Sequence, residues 1–256
     1  MKNTIQKSKF QHLNLEVYST RQAMGEAAGK AVEQKIIELL QTQNEVRMIF
    51  AAAPSQNDIL SYLRTSEKVN WQKIVAFHMD EYIGLSESAP QLFSNYLREH
   101  LFDHVNLKEV HLIDGNLDAN QECIRYAKLI AEKEIDIVCL GIGENGHIAF
   151  NDPPVADFND FQTIKVVELD DKCRQQQVND GCFQTIDKVP THALTLTIPT
   201  LMSGKYLYCV VPGSTKSEAV KNTLHKEVST KCPSSILKTH PNCTLYVDEE
   251  AYALSN

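Results

Sequence analysis

The chain has 256 residues, 43% hydrophobic and 23% charged, which is enough apolar material for one continuous core and excludes a largely disordered chain. A formal charge of −8, from 33 acidic and 25 basic residues, argues against nucleic acid or an anionic membrane as partner and leaves room for a small phosphorylated metabolite held by a few local cations. Seven cysteines without C-x-x-C spacing, no apolar leader and no run of ~18 apolar residues indicate reduced core thiols, no membrane span and a cytoplasmic location.

In chain order, residues 20–43 place Met24, Ala28, Ala31, Val32, Ile36, Leu39 and Leu40 on one stripe, as an amphipathic helix requires. "VRMIFAAA" (46–53) reads as a buried strand, and "SQNDILSYLRTS" (55–66) as a helix with a Ser/Asn start. Strands follow at "KIVAFHM" (73–79), "EVHLI" (109–113), "IDIVCLG" (135–141), "TIKVVEL" (163–169), "ALTLTI" (193–198), "KYLYCVVP" (205–212) and "TLYVD" (244–248). Helical patterns lie at 91–102, 118–133, 171–179 and 215–225. Short apolar strands alternating with helices predict a mostly parallel, doubly wound, Rossmann-like sheet covered on both faces, a single α/β domain over residues 1–256. In such a sheet ligands bind beyond the carboxyl ends of the strands.

Four loops at those ends carry polar groups. "FAAAPSQND" (50–58) offers Ser55 either to a phosphate or as a helix cap. "FHMDEYIG" (77–84) sets Asp80 beside Glu81 at the end of a buried strand; mutual repulsion there raises one carboxyl toward the range of a general base, and a polar turn is the alternative. "GIGENGHIAFNDPP" (141–154) contains G-x-G-x-x-G, but Pro153 and Pro154 forbid the crossover helix that a dinucleotide site needs, so no nicotinamide or flavin is expected. The same loop places His147 near Asn145 and Asp152, a setting for moving protons on a sugar oxygen, and equally for a structural histidine bonding a loop carbonyl. "VVPGSTKSEAV" (210–220) directs backbone N–H groups and Lys216 toward an anion without being a Walker motif. His100 and His104 in "HLFDH" lack a third ligand, so no metal is expected, and His192 reads as structural.

"FHMDEYIGL" and "GIGENGHIAFNDP", with "FDHV", "GN" at 115–116, "PTHALTLTI" and "GSTKSEAV" in the same order, resemble the glucosamine-6-phosphate deaminases, within the superfamily that includes 6-phosphogluconolactonases. The resemblance implies conversion of an amino-sugar 6-phosphate and water to a ketose 6-phosphate and ammonia, without metal or organic cofactor. It makes Asp80 the base that moves the proton between C2 and C1, and His147 the group that helps to open the pyranose ring. Asp152 takes the place of a glutamate assisting that histidine, and Asn145 that of an aspartate. Arg174 and Lys216 match phosphate-binding cations, with Ala53 and Ser55 of "AAAPSQ" completing the cradle where the family has a Gly-Gly-Thr-Pro-type loop; Glu81 and Gly146 are further substrate-side positions. A homo-oligomer, as a dimer or larger ring, fits the family. Galactosamine 6-phosphate is the alternative epimer, a lactonase the alternative enzyme, and a sugar-phosphate sensor the alternative without catalysis.

Overall fold

A computed structural model describes residues 4–179 and 181–255. The chain opens with an antiparallel hairpin, β1 (Thr4–Phe10) and β2 (Leu13–Tyr18). β1 alternates half-buried and exposed residues, a pattern too polar for the sequence reading to have picked out. The predicted helix over 20–43 forms as α1 (Arg21–Leu39), with the Thr20 hydroxyl capping it by accepting from the Ala23 amide at 3.1 Å. Next come β3 (Val46–Phe50), a 3-10 turn at Pro54–Gln56, α2 (Asn57–Arg64), β4 (Ile74–His78), β5 (Asp80–Tyr82), α3 (Phe93–His100) and β6 (Glu109–His111). The second half runs α4 (Ala119–Ala131), β7 (Ile137–Leu140), β8 (Ile164–Glu168), α5 (Asp171–Asn179), β9 (His192–Leu196) and α6 (Ile198–Met202). It ends with β10 (Tyr206–Val211), α7 (Ser217–His225), β11 (Cys243–Asp248) and α8 (Glu249–Tyr252).

Eight strands form the main sheet in the order β1-β2-β11-β10-β7-β3-β4-β6, and every neighbouring pair except β1/β2 is parallel. Both faces are covered, and the strand period of two shows why. Val46, Met48 and Phe50 of β3 pack with α1 and α2, whereas Ile49 faces the core formed with Tyr126 of α4 and Val220 of α7. Ile137 and Cys139 of β7 divide from Val138 and Leu140 in the same way. Each of these fully buried aliphatic or aromatic side chains stabilises the fold by about 1.5–3 kcal/mol.

Two predicted strands lie elsewhere. "TIKVVEL" and "ALTLTI" become β8 and β9, which join β5 in a separate antiparallel sheet of order β5-β9-β8. β8 keeps Lys165 and Val166 accessible while burying Ile164 and Val167, a half-wet strand of the antiparallel type. Because β4 ends at His78 and β5 starts at Asp80, the chain crosses from the large sheet to the small one at Met79. Among the described residues no helix is long and apolar enough to cross a membrane, and no group of three or more His, Cys, Asp or Glu side chains is placed to hold a metal ion. None of the seven cysteines forms a disulfide among the described residues.

Candidate active site

Strands β10, β7, β3 and β4 lie side by side, and their carboxyl ends carry the four polar loops. From β3 the chain proceeds outward through β4 to β6; from β7 it proceeds the other way through β10 to β11. The crevice between β3 and β7 is therefore the topological switch point of the sheet. A cavity of about 590 Å³ opens there, lined by all four loops, within the size range of small-molecule sites.

The loop after β7 holds the histidine. No helix follows Leu140 before β8 among the described residues, so the glycine pattern does not build a dinucleotide turn. Gly143 serves another purpose: a Cβ there would fall 2.1 Å from His147 Cε1, so only glycine lets the imidazole lie flat against the backbone. Asn145 Oδ1 accepts from the His147 amide at 3.0 Å and lies 2.8 Å from Nδ1, while its Nδ2 donates to Asp152 Oδ1 at 2.7 Å. Asp152 Oδ1 is also 3.0 Å from His147 Nδ1. Two acceptors around Nδ1 place the ring proton there and leave Nε2 as the proton-accepting atom of a ring that lines the cavity. Burial pushes the Asp152 carboxyl up, but the charge and hydrogen bonds of His147, with those of Asn145 and Cys173, outweigh it and hold the group below its usual range. Ala149, two residues on, has φ 51, a left-handed conformation rare for a residue with a Cβ.

Asp80 is buried at the start of β5 and lines the same cavity. Burial, and then the charge of Glu81, raise its carboxyl well above the ordinary range. Glu81 itself faces away from the cavity. Its Oε1 accepts from the Tyr82 and Phe93 amides at 3.0 and 2.9 Å, and its Oε2 from the Ser94 amide at 2.9 Å, so it caps the start of α3. Burial nevertheless lifts it to about 6.

Ala53 and Ser55 after β3, and Lys216 in the turn after β10, line the same cavity. Lys216 is buried, and Gly213, Thr215 and Lys216 bring the first turn ahead of α7 to the same wall.

The structure does not bring three of the expected substrate-side residues, Glu81, Arg174 and Gly146, to the cavity. Arg174 on α5 donates Nη2 to the Ile186 and Val189 carbonyls at 2.8 and 3.1 Å and faces Asp171 at 3.4 Å. Gln176 and Gln177, two and three positions further along that helix, line the cavity instead; at 100° per residue Gln176 points about 200° round the helix from Arg174. Gly146 forms the turn beside His147, where its carbonyl accepts from the Ser234 amide at 2.8 Å, but does not line the cavity. Three contributors escape the sequence reading. Arg21, the first residue of α1, reaches the cavity near Pro54; Phe93 and Phe150, rings 5.6 Å apart and 23° from parallel, form an apolar wall; and Tyr82 anchors Gln177 by a 2.8 Å hydrogen bond. The aromatic residues look like ordinary core in sequence, and Arg21 like a solvated helix start.

Residues 19–246 match the family model described as glucosamine-6-phosphate isomerases/6-phosphogluconolactonase. The chain is 35% identical over 243 residues to a glucosamine-6-phosphate deaminase of Bacillus cereus, spanning 94% of this chain and 89% of that one. Among solved structures, a monomeric glucosamine-6-phosphate deaminase superposes with a TM-score of 0.85 at 30% identity, over 94% of this chain and 99% of that one. A 6-phosphogluconolactonase of Thermotoga maritima gives 0.76 at 18% identity, over 92% and 99%, a likeness of fold.

Proposed function

The chain belongs to the glucosamine-6-phosphate isomerase/6-phosphogluconolactonase family, and on that premise we propose that it is a glucosamine-6-phosphate deaminase, converting glucosamine 6-phosphate and water to fructose 6-phosphate and ammonia. One observation carries the reading: a buried carboxyl with a raised pKa, Asp80, and the His147 ring, positioned through Nδ1, line one cavity with Lys216.

The chemistry divides among these groups. Ring opening moves a proton from the anomeric hydroxyl to the ring oxygen, a transfer suited to His147 Nε2 with Asp152 steadying the imidazolium. In the open chain, C2 carries hydrogen and the amine beside the C1 aldehyde. Asp80 removes the C2 proton and returns it to C1, while one amine proton passes to O1 and makes it a hydroxyl, which leaves the nitrogen doubly bonded to C2 as an imine. Water adds to that carbon and ammonia leaves, giving the 2-ketose. Burial makes Asp80 a stronger base than an exposed aspartate, and the apolar wall of Phe93 and Phe150 keeps bulk water from the carbanionic intermediate. Lactone hydrolysis has no carbon-bound proton to move and gives Asp80 no task.

The phosphate is held by Lys216, the Ser55 hydroxyl and the turn amides beside them. A phosphorylated substrate and seven cysteines that form no disulfide among the described residues fit a cytoplasmic location. The test is product analysis with purified protein given glucosamine 6-phosphate, galactosamine 6-phosphate or 6-phosphogluconolactone. Ammonia with fructose 6-phosphate from the first is expected; hydrolysis of the lactone with no ammonia from either sugar would replace the proposal.

A further inference from the structure

Among the described residues lining the cavity, Lys216 and Arg21 are the two Lys or Arg side chains, and Arg174 is absent. Resting on the sugar-phosphate reading above, we infer that Arg21 is the second phosphate-binding cation of this chain, taking the role that sequence matching gives to Arg174.

Arg21 is the first residue of α1, half-exposed, and its position is set from α2. Its Nε donates to Asp58 Oδ2 at 2.6 Å and its Nη2 to the Pro54 carbonyl, while Nη1 donates to no described residue. Asp58 lies in the first turn of α2, and the two helices touch where Gly25 meets it: a Cβ at position 25 would fall 2.2 Å from the Asp58 Cβ. The close approach of α1 to α2 thus seats the carboxylate that grips one edge of the guanidinium. A fork held on one edge by a carboxylate and a carbonyl presents its remaining N–H groups with little entropy left to lose. The guanidinium lies beside the Pro54 carbonyl, and Ser55, Gly213, Thr215 and Lys216 line the same cavity. A phosphate bound there would draw on Lys216 from the turn after β10 and on Arg21 from the start of α1.

The experiment is isothermal calorimetry on the full chain with glucosamine 6-phosphate and, separately, inorganic phosphate, for the unsubstituted protein, Arg21→Ala, Arg21→Lys and Arg174→Ala. Loss of a charged hydrogen-bonding partner predicts that Arg21→Ala weakens both ligands by roughly 10- to 100-fold. Arg21→Lys, which keeps the charge and the fold but not the fork, loses less and covers the case in which the alanine variant fails to fold. Binding makes the result independent of turnover. A protein that binds phosphate through Arg21 but releases no ammonia keeps this inference and loses the deaminase reading; one that deaminates while Arg21→Ala binds normally does the reverse. A loss confined to Arg174→Ala, or no binding of either ligand by the unsubstituted protein, overturns the inference.

Discussion

Replacing Glu81 by Gln separates the charge of this residue from its shape. The side chain is buried and accepts three backbone N–H groups, yet burial lifts its carboxyl from the usual 4.5 to about 6. A carboxyl whose pKa is higher in the folded chain contributes stability that is fully present below 4.5 and is lost as pH rises through 6, because the folded state then holds a proton that the unfolded state has already released. The interval from 4.5 to about 6 corresponds to ~2 kcal/mol. Glutamine does not titrate, so it escapes this loss. It also turns an NH₂ toward one of the N–H donors, at a pH-independent cost of about 1–3 kcal/mol. Urea unfolding of both proteins at pH 4 and pH 7.5 reads the difference. The stability gap should move in favour of the glutamine protein by ~2 kcal/mol between the two pH values, and relief of the repulsion on Asp80 adds in the same direction. The same variant should shift the acidic limb of the rate profile to lower pH, since Asp80 loses its negative neighbour. A gap that stays constant, or moves the other way, would show that the three N–H donors outweigh burial and would refute the reasoning.

Two further substitutions test the histidine loop. Gly143→Ala places a methyl 2.1 Å from His147 Cε1, so the ring must move; turnover should fall by at least about 100-fold, with phosphate affinity nearly unchanged by calorimetry. Asp152→Asn removes the charge that steadies His147 and should lower kcat by roughly 10- to 100-fold with little change in KM. Because the Asp152 carboxyl is held below its usual range, it contributes stability above that range that is lost as pH falls, and acid unfolding of the asparagine protein should show a correspondingly weaker pH dependence.

The four site loops were legible because each follows an apolar strand, and four such strands side by side admit one arrangement of their carboxyl ends. Asp80, His147, Ser55 and Lys216, expected at those loop ends, line one cavity. Arg174 was not placed correctly, because a local match along α5 says nothing of which helix face meets the cavity, and the carbonyls of Ile186 and Val189 take the guanidinium. Arg21 was invisible for the opposite reason: its place depends on how close α1 comes to α2 at Gly25, a contact between separate elements. The small sheet was missed because β8 and β9 resemble parallel strands in composition, and only their partners and the half-wet face of β8 distinguish them.

The central claim is that Asp80 moves a proton between two carbons of an amino-sugar phosphate. The direct measurement is ammonia release from saturating glucosamine 6-phosphate in deuterated water, with mass analysis of the fructose 6-phosphate, for the unsubstituted protein and Asp80→Asn. Expected are ammonia and ketose in equal amounts with the substrate's C2 hydrogen carried to C1 against the deuterated solvent, and loss of both by at least about 1000-fold in the variant while calorimetry shows the sugar phosphate still bound. Turnover surviving in Asp80→Asn, or an unsubstituted protein that binds the sugar phosphate and releases no ammonia, would contradict it.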